Sequence, residues 1–165
     1  MKKAAQLILV FCLVFCTNSI VAQTVRKSDK EILEKPYKPE EDVQAKIDAL
    51  LVQAKKQHKN IIIQAGGNWC VWCLRFNDYI KKTPEIKKVV DNNFLYYHLN
   101  FSSENKNEKV FKKYAPDGAQ LGYPFFIVLD ASGKVLKLQE SGSMESGKGY
   151  DKEKVLAFFK QWKAK

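Results

Sequence analysis

The chain has 165 residues, with 28 Lys plus Arg against 18 Asp plus Glu, and carries a net charge of +10. Apolar residues make up 45% and charged residues 28%, which excludes a disordered, collagenous or low-complexity chain. The length suits one domain with or without a targeting segment, and the absence of an internal period argues against a repeat array.

Met1-Lys2-Lys3, the apolar run Leu7–Phe15 and Ser19-Ile20-Val21-Ala22 read as a secretory signal peptide over 1–22, cut after Ala22. The run falls short of the ~20 apolar residues that a spanning helix needs. Lipoprotein processing wants a small residue before the acylated Cys, whereas Phe11 and Phe15 precede Cys12 and Cys16. Removing 22 residues leaves 143 with charge +8, because Lys2 and Lys3 are lost. The expected product is periplasmic or secreted, monomeric, and keeps only Cys70 and Cys73. A single pair three positions apart is no framework of staples, so it is free for chemistry. Acids interleave with the lysines, which reads as a solvated surface; with no basic–aromatic motif, nucleic acid is not an expected partner.

Residues 23–40 are polar, contain Pro36 and Pro39, and read as a linker or loosely attached arm. Pro39–Asp42 opens a helix whose apolar face is Val43, Ile47, Leu50, Leu51 and Ala54, with cations at its end. Ile61–Ala65 is a β-branched run, expected as a strand buried on both faces. A loop from Gly66 to Trp69 leads into a helix carrying Trp72, Phe76, Tyr79 and Ile80, and Thr83-Pro84-Glu85 restarts a helix to Asp91. Phe94–Phe101 is the next strand. Asn105 with Glu108 resembles a capping box for a helix to Tyr114, and Pro116–Gly122 is a loop. Phe125–Leu129 and Val135–Leu138 form a hairpin around Asp130–Gly133. Ser141–Gly149 reads as a flexible loop, and Asp151 caps a last helix with Val155, Leu156, Phe158, Phe159 and Trp162 inward. Alternating strands and helices with a closing hairpin predict an α/β fold: a mixed sheet with helices on both faces.

Trp69-Cys70-Val71-Trp72-Cys73 falls where a buried strand meets a helix. A thiolate is the nucleophile, and a helix N-terminus can lower a Cys pKa from ~8.5 into the range ~3.5–7.5. Cys70, at the first turn, is the better anion. Cys73, one turn on, can attack a mixed disulfide that Cys70 forms with a substrate. Zinc would need four ligands; no second Cys pair remains, and His58 and His98 lack ligand spacing, so no metal is expected.

Ile61–Cys73, with Trp before the first Cys, resembles the thioredoxin superfamily, and Gly122-Tyr123-Pro124 before a strand looks like that family's cis-proline. The resemblance covers about Glu41 to Lys163, with the domain taken as 41–165. Cys70-Val71-Trp72-Cys73, Phe76 and Thr83–Ile86 are most similar to exported thioredoxin-like proteins, including the C-terminal domain of transmembrane disulfide reductases. The resemblance implies a dithiol oxidoreductase of the thioredoxin fold that acts on protein thiols and disulfides. It has no cofactor beyond a redox-active Cys70–Cys73 disulfide. Reduction is expected over oxidation, with a membrane dithiol carrier as electron donor. Trp69, Val71, Trp72, Tyr123 and Pro124 are the expected substrate contacts. The other class of function is a binding module of this fold, dedicated to one partner.

The chain departs from the family at two sites. Gln64 stands where a buried acid usually lies, and His98 where a lysine often does. Gln64 cannot take a proton from Cys73, whereas His98 could relay one; the alternative is a hydrogen-bonded core pair of Gln64 with His98, which is favoured.

Overall fold

The computed structural model describes residues 28–165, so the predicted signal segment lies outside the described residues. In chain order the elements are α1 (Asp29–Ile32), α2 (Val43–Gln57), β1 (Asn60–Gly66), α3 (Val71–Lys82), α4 (Pro84–Asn93) and β2 (Phe94–Asn100). There follow α5 (Glu108–Tyr114), β3 (Phe125–Leu129), β4 (Val135–Glu140), the short pair β5 (Glu145–Ser146) and β6 (Gly149–Tyr150), and α6 (Lys152–Gln161).

Four strands form one mixed sheet in the order β2-β1-β3-β4. β1 and β2 are parallel, β3 runs antiparallel to β1, and β4 closes a hairpin with β3. A parallel neighbour needs a crossover, and α3 with α4 supplies it. β1 is buried at every position, the reason for its unbroken Ile61-Ile62-Ile63 run. Its alternate residues feed two cores. Ile61, Ile63 and Ala65 join Phe125, Ile127 and Leu129 beneath α2 and α5. Ile62 joins Phe126 and Val128 beneath α3, α4 and α6. The expected architecture, a mixed sheet with helices on both faces and an antiparallel hairpin at the C-terminal end, is the one observed.

Caps set several boundaries. The Asp42 carboxylate accepts from the Ala45 N–H at 3.0 Å and opens α2; Asp151 does the same for α6 through Lys154. Asn105 behaves otherwise than the capping-box reading predicts. Asn107 is the residue before α5, and it makes no side-chain cap. Asn105 instead donates to the Pro39 carbonyl at 2.8 Å and accepts from the Asn107 N–H, so a tertiary contact claims it. The Ser141–Gly149 stretch is also more ordered than its Gly and Ser content suggests. It holds a 3-10 turn, Gly142–Met144, and the β5–β6 pair, with Met144 and Tyr150 anchored in the core.

The largest departure is residues 28–40, read as part of a loosely attached arm. Asp29 pairs with Arg75 at 2.7 Å, Glu34 pairs with Lys81, and Tyr37 is 2% exposed. A single tyrosine among lysines and prolines leaves the average composition polar. Yet one buried aromatic brings enough apolar area to hold a segment down.

Candidate active site

β1 ends at Gly66, and a tight turn follows in which the Cys70 N–H donates to the Gly67 carbonyl at 3.1 Å. Cys70 is the N-cap of α3, with extended backbone (φ −91°, ψ 105°), and its sulfur accepts the Cys73 N–H at 3.1 Å. The two cysteines form a disulfide with Cα atoms 5.3 Å apart. Cys70 is 6% exposed and Cys73 is fully buried. In the reduced form, charge on the Cys70 sulfur would keep the Cys73 N–H and face the positive end of the α3 dipole. The Gly66 backbone packs against the other sulfur. A Cβ there would overlap Cys73 Sγ and lie 3.0 Å from Tyr37 Oη, so the position has no room for a side chain.

Aromatic groups frame the pair. The Tyr123–Pro124 peptide bond is cis, Pro124 is buried, and the Tyr123 carbonyl lies 3.6 Å from Cys70 Sγ. The Tyr123 ring stacks on Phe101 with centroids 5.3 Å apart and meets Trp69 edge-on at 5.5 Å. The Trp69 indole N–H donates to the Phe101 carbonyl at 2.6 Å, which fixes a side chain that is 46% exposed. Across the disulfide, the half-buried Trp72 meets Tyr150 edge-on at 5.7 Å, under the Arg75 guanidinium. The Tyr150 hydroxyl donates to the Trp72 carbonyl at 3.0 Å, so this residue braces the site from β6, just ahead of the last helix. Val71 is half-buried at the first position of α3. Trp69, Val71, Trp72, Tyr123 and Pro124 thus lie around the cysteines or beside them in the chain. Phe101 directly follows β2 with no motif around it, so the sequence offers no signal for its place here.

Beneath the disulfide the arrangement differs from the sequence reading. Gln64 and His98 are neighbours in register between β1 and β2. No hydrogen bond joins them. The Gln64 amide nitrogen donates to Tyr37 Oη at 2.7 Å and to the Cys73 carbonyl at 3.0 Å, and its carbonyl accepts from the Tyr96 hydroxyl at 2.6 Å. That exhausts its donors, and the expected Gln64–His98 core pair is not formed. His98 Nε2 is buried without a hydrogen-bond partner among the described residues. The His98 ring lies edge-on between Tyr37 (centroids 5.2 Å apart) and Tyr96 (5.3 Å). Tyr37, which groups with Cys70 and Cys73, is, like Phe101 and Tyr96, missed from sequence; its one signal was a lone aromatic between Pro36 and Pro39.

Burial drives the His98 pKa down to about 4, with Lys81 adding to the shift and Glu34 opposing it. Lys38, Glu41 and Lys46 line the same shallow cleft. The imidazole is therefore neutral at neutral pH. Between its unfolded value of ~6.5 and ~4 the unfolded chain binds a proton that the folded chain refuses. Stability should fall as pH drops through that window. His98→Gln should remove this share of the acid loss, read as urea midpoints across the window. An identical acid loss in both proteins would show that His98 is not its source.

Among the described residues no cluster of three or more His, Cys, Asp or Glu is placed to hold a metal ion, and no helix is long and apolar enough to cross a membrane. A family model described as thioredoxin-like matches residues 42–131. The disulfide bond reductase DsbH of Chlamydia pneumoniae is 27% identical over 95 residues, covering 52% of this chain and 55% of that protein. The chain therefore spans only about half the length of that curated relative. A disulphide isomerase of Xylella fastidiosa Temecula1 superposes with a TM-score of 0.68 at 21% identity, over 78% of this chain and 97% of that one. The oxidised C-terminal domain of Neisseria meningitidis DsbD gives 0.54 at 18% identity, over 74% and 97%. At such identities the structures establish the fold alone, whereas the family match extends over more than half of the sequence: the chain belongs to the thioredoxin-like family.

Proposed function

We propose that this chain is an exported thiol–disulfide oxidoreductase that reduces or isomerises protein disulfides through Cys70 and Cys73. The observation that carries the reading is the Cys70 sulfur at the N-cap of α3, bonded to Cys73 and beside the Tyr123 carbonyl. Names of relatives, a disulfide bond reductase among them, support both the chemistry and its direction. The signal-like 1–22 stretch supports export to the periplasm.

In the forward cycle the Cys70 thiolate attacks one sulfur of a substrate disulfide. A Cys70–substrate bond forms, the substrate S–S bond breaks, and the departing substrate sulfur takes a proton from water. Cys73 gives its proton to solvent and attacks Cys70 Sγ. The internal disulfide forms, and the second substrate sulfur leaves as a thiol after protonation. The substrate gains two electrons and the protein loses two. A membrane dithiol carrier would return them. Trp69, Val71, Trp72 and Tyr123 would give an apolar contact surface, and the Tyr123 backbone beside Pro124 would pair with an extended substrate segment. The chain would act as a monomer and take no cofactor.

Trapping tests the reading. Cys73→Ser removes the resolving thiol, so mixed disulfides through Cys70 should accumulate in the exported compartment and vanish with reductant. Several trapped proteins would support a general oxidoreductase. A single trapped protein would favour the dedicated binding module, and none would remove the redox reading.

A further inference from the structure

Residues 28–40 lie before the 42–131 stretch that matches the family, yet they place a side chain against the buried cysteine. Asn68, two residues before Cys70, fixes that side chain from both sides of its backbone. Its carbonyl accepts the Tyr37 N–H at 3.2 Å, and its amide donates to the Tyr37 carbonyl at 2.8 Å. The site turn and the arm are therefore one unit. The Asp29–Arg75 pair ties the arm to α3 as well.

Counting hydrogens at Tyr37 shows what the phenol has left to give. Its oxygen accepts from Gln64 Nε2, so its own hydrogen is free for a further partner. Gln64 does not receive it, because the phenol faces the amide nitrogen, which has no lone pair to offer, while the amide carbonyl is turned to Tyr96. His98 Nε2 does not, since it has no partner. Tyr37 Oη and Cys73 Sγ both crowd the point where a Gly66 Cβ would sit, Oη at 3.0 Å and the sulfur closer still. While Cys73 is in the disulfide its sulfur is a weak acceptor. Once the disulfide is opened, the Cys73 sulfur becomes an anion in a fully buried place, with a phenol beside it. Burial holds the Tyr37 hydroxyl well above its ordinary value, so it remains a donor throughout the working pH range and cannot serve as a base.

We propose that the N-terminal arm supplies Tyr37 as the hydrogen-bond donor to the Cys73 thiolate and so sets the ionisation of the resolving cysteine. The inference rests on the thiol–disulfide reading and deepens it. In the resolving step Cys73 loses its proton to solvent, the Tyr37 O–H stabilises the anion, and the anion then attacks Cys70 Sγ as the substrate sulfur leaves. Tyr37 neither gains nor loses a proton. The domain's usual buried acid, absent here, is thus replaced by a neutral donor brought in from outside the family stretch.

The test isolates Cys73 in the full chain carrying C12S, C16S and C70S; Ser is a good N-cap, so α3 should keep its start. The Cys73 Cβ NMR shift is followed against pH in selectively labelled protein. Tyr37→Phe keeps the ring and removes the donor. A hydrogen bond to a charged group is worth enough that its loss should raise the Cys73 pKa by about one unit, leaving ~10-fold less thiolate at a given pH below it. Replacing Tyr37 alone by a fluorotyrosine, a stronger donor, should lower the pKa instead. The sign separates this from mere loosening. An arm that came away would admit water, solvate the anion and lower the pKa in Tyr37→Phe. A lowered or unchanged pKa in Tyr37→Phe overturns the proposal, as does an unchanged pKa in the fluorotyrosine protein. The titration measures no turnover, so it can fail while trapping succeeds, and the reverse.

Discussion

Cys70→Ser should abolish disulfide reduction, with turnover of a disulfide-bonded test protein such as insulin falling by on the order of 10³-fold or more, as expected when a nucleophile is removed. Three features make the effect large and its cause local. A serine hydroxyl ionises far above the thiol range and forms no mixed disulfide. The site has no second sulfur at the helix start, because Cys73 lies a turn further on and is fully buried. The fold should survive, since Ser is a favoured N-cap and can accept the Cys73 N–H that the Cys70 sulfur now takes. The closed loop is too short for the lost disulfide to cost much chain entropy. Intact far-ultraviolet circular dichroism with turnover gone is the expected pair of results. Turnover within tenfold of the parent would assign the nucleophile to another group.

The legible parts of this molecule were the local ones. Ile61–Ala65 announces itself as a central strand because positions buried on both faces need a β-branched apolar run, and the observed strand extends it by one residue at each end, to Asn60–Gly66. The cysteine pair is visible because its chemistry requires a strand end and a helix start within a few residues. Tyr123-Pro124 adds a second short signal. The buried layer beneath the site was illegible for a different reason. Gln64 and His98 could be placed side by side, and their backbones are. Which side chain each would bond depended on Tyr37, 27 positions before Gln64, and on Tyr96, 32 after it. Neither spacing leaves a pattern. Residues 28–40 failed as a loose arm on the same ground. Asn68, Arg75 and Lys81 hold them, each more than 30 positions away.

Gln64→Leu should destabilise the folded protein by about 3 kcal/mol, because it strips partners from buried polar groups without removing the groups. Gln64 is fully buried and near Leu in volume, so a cavity is not the main term. The Tyr96 hydroxyl would lose its acceptor, the Tyr37 hydroxyl its donor, and the Cys73 carbonyl its side-chain donor. Each buried polar group left unmade costs ~1–3 kcal/mol, and the apolar leucine side chain returns part of that. The loss should be independent of pH, since leucine does not titrate. Gln64→Glu should behave differently. It keeps the shape and restores an acid at the family's position. Protonated, it can still accept from Tyr96 and donate one hydrogen. Burial raises its pKa above the unfolded value of ~4.3, so the folded chain holds a proton that the unfolded chain releases. Stability should then be close to the parent's below that value and fall as pH rises through the window above it. Urea unfolding of both variants at several pH values measures this. A Gln64→Leu protein within ~0.5 kcal/mol of the parent, the usual range for an inconsequential surface change, would mean that the tyrosine hydroxyls find other partners and that Gln64 does not hold Tyr37 in place.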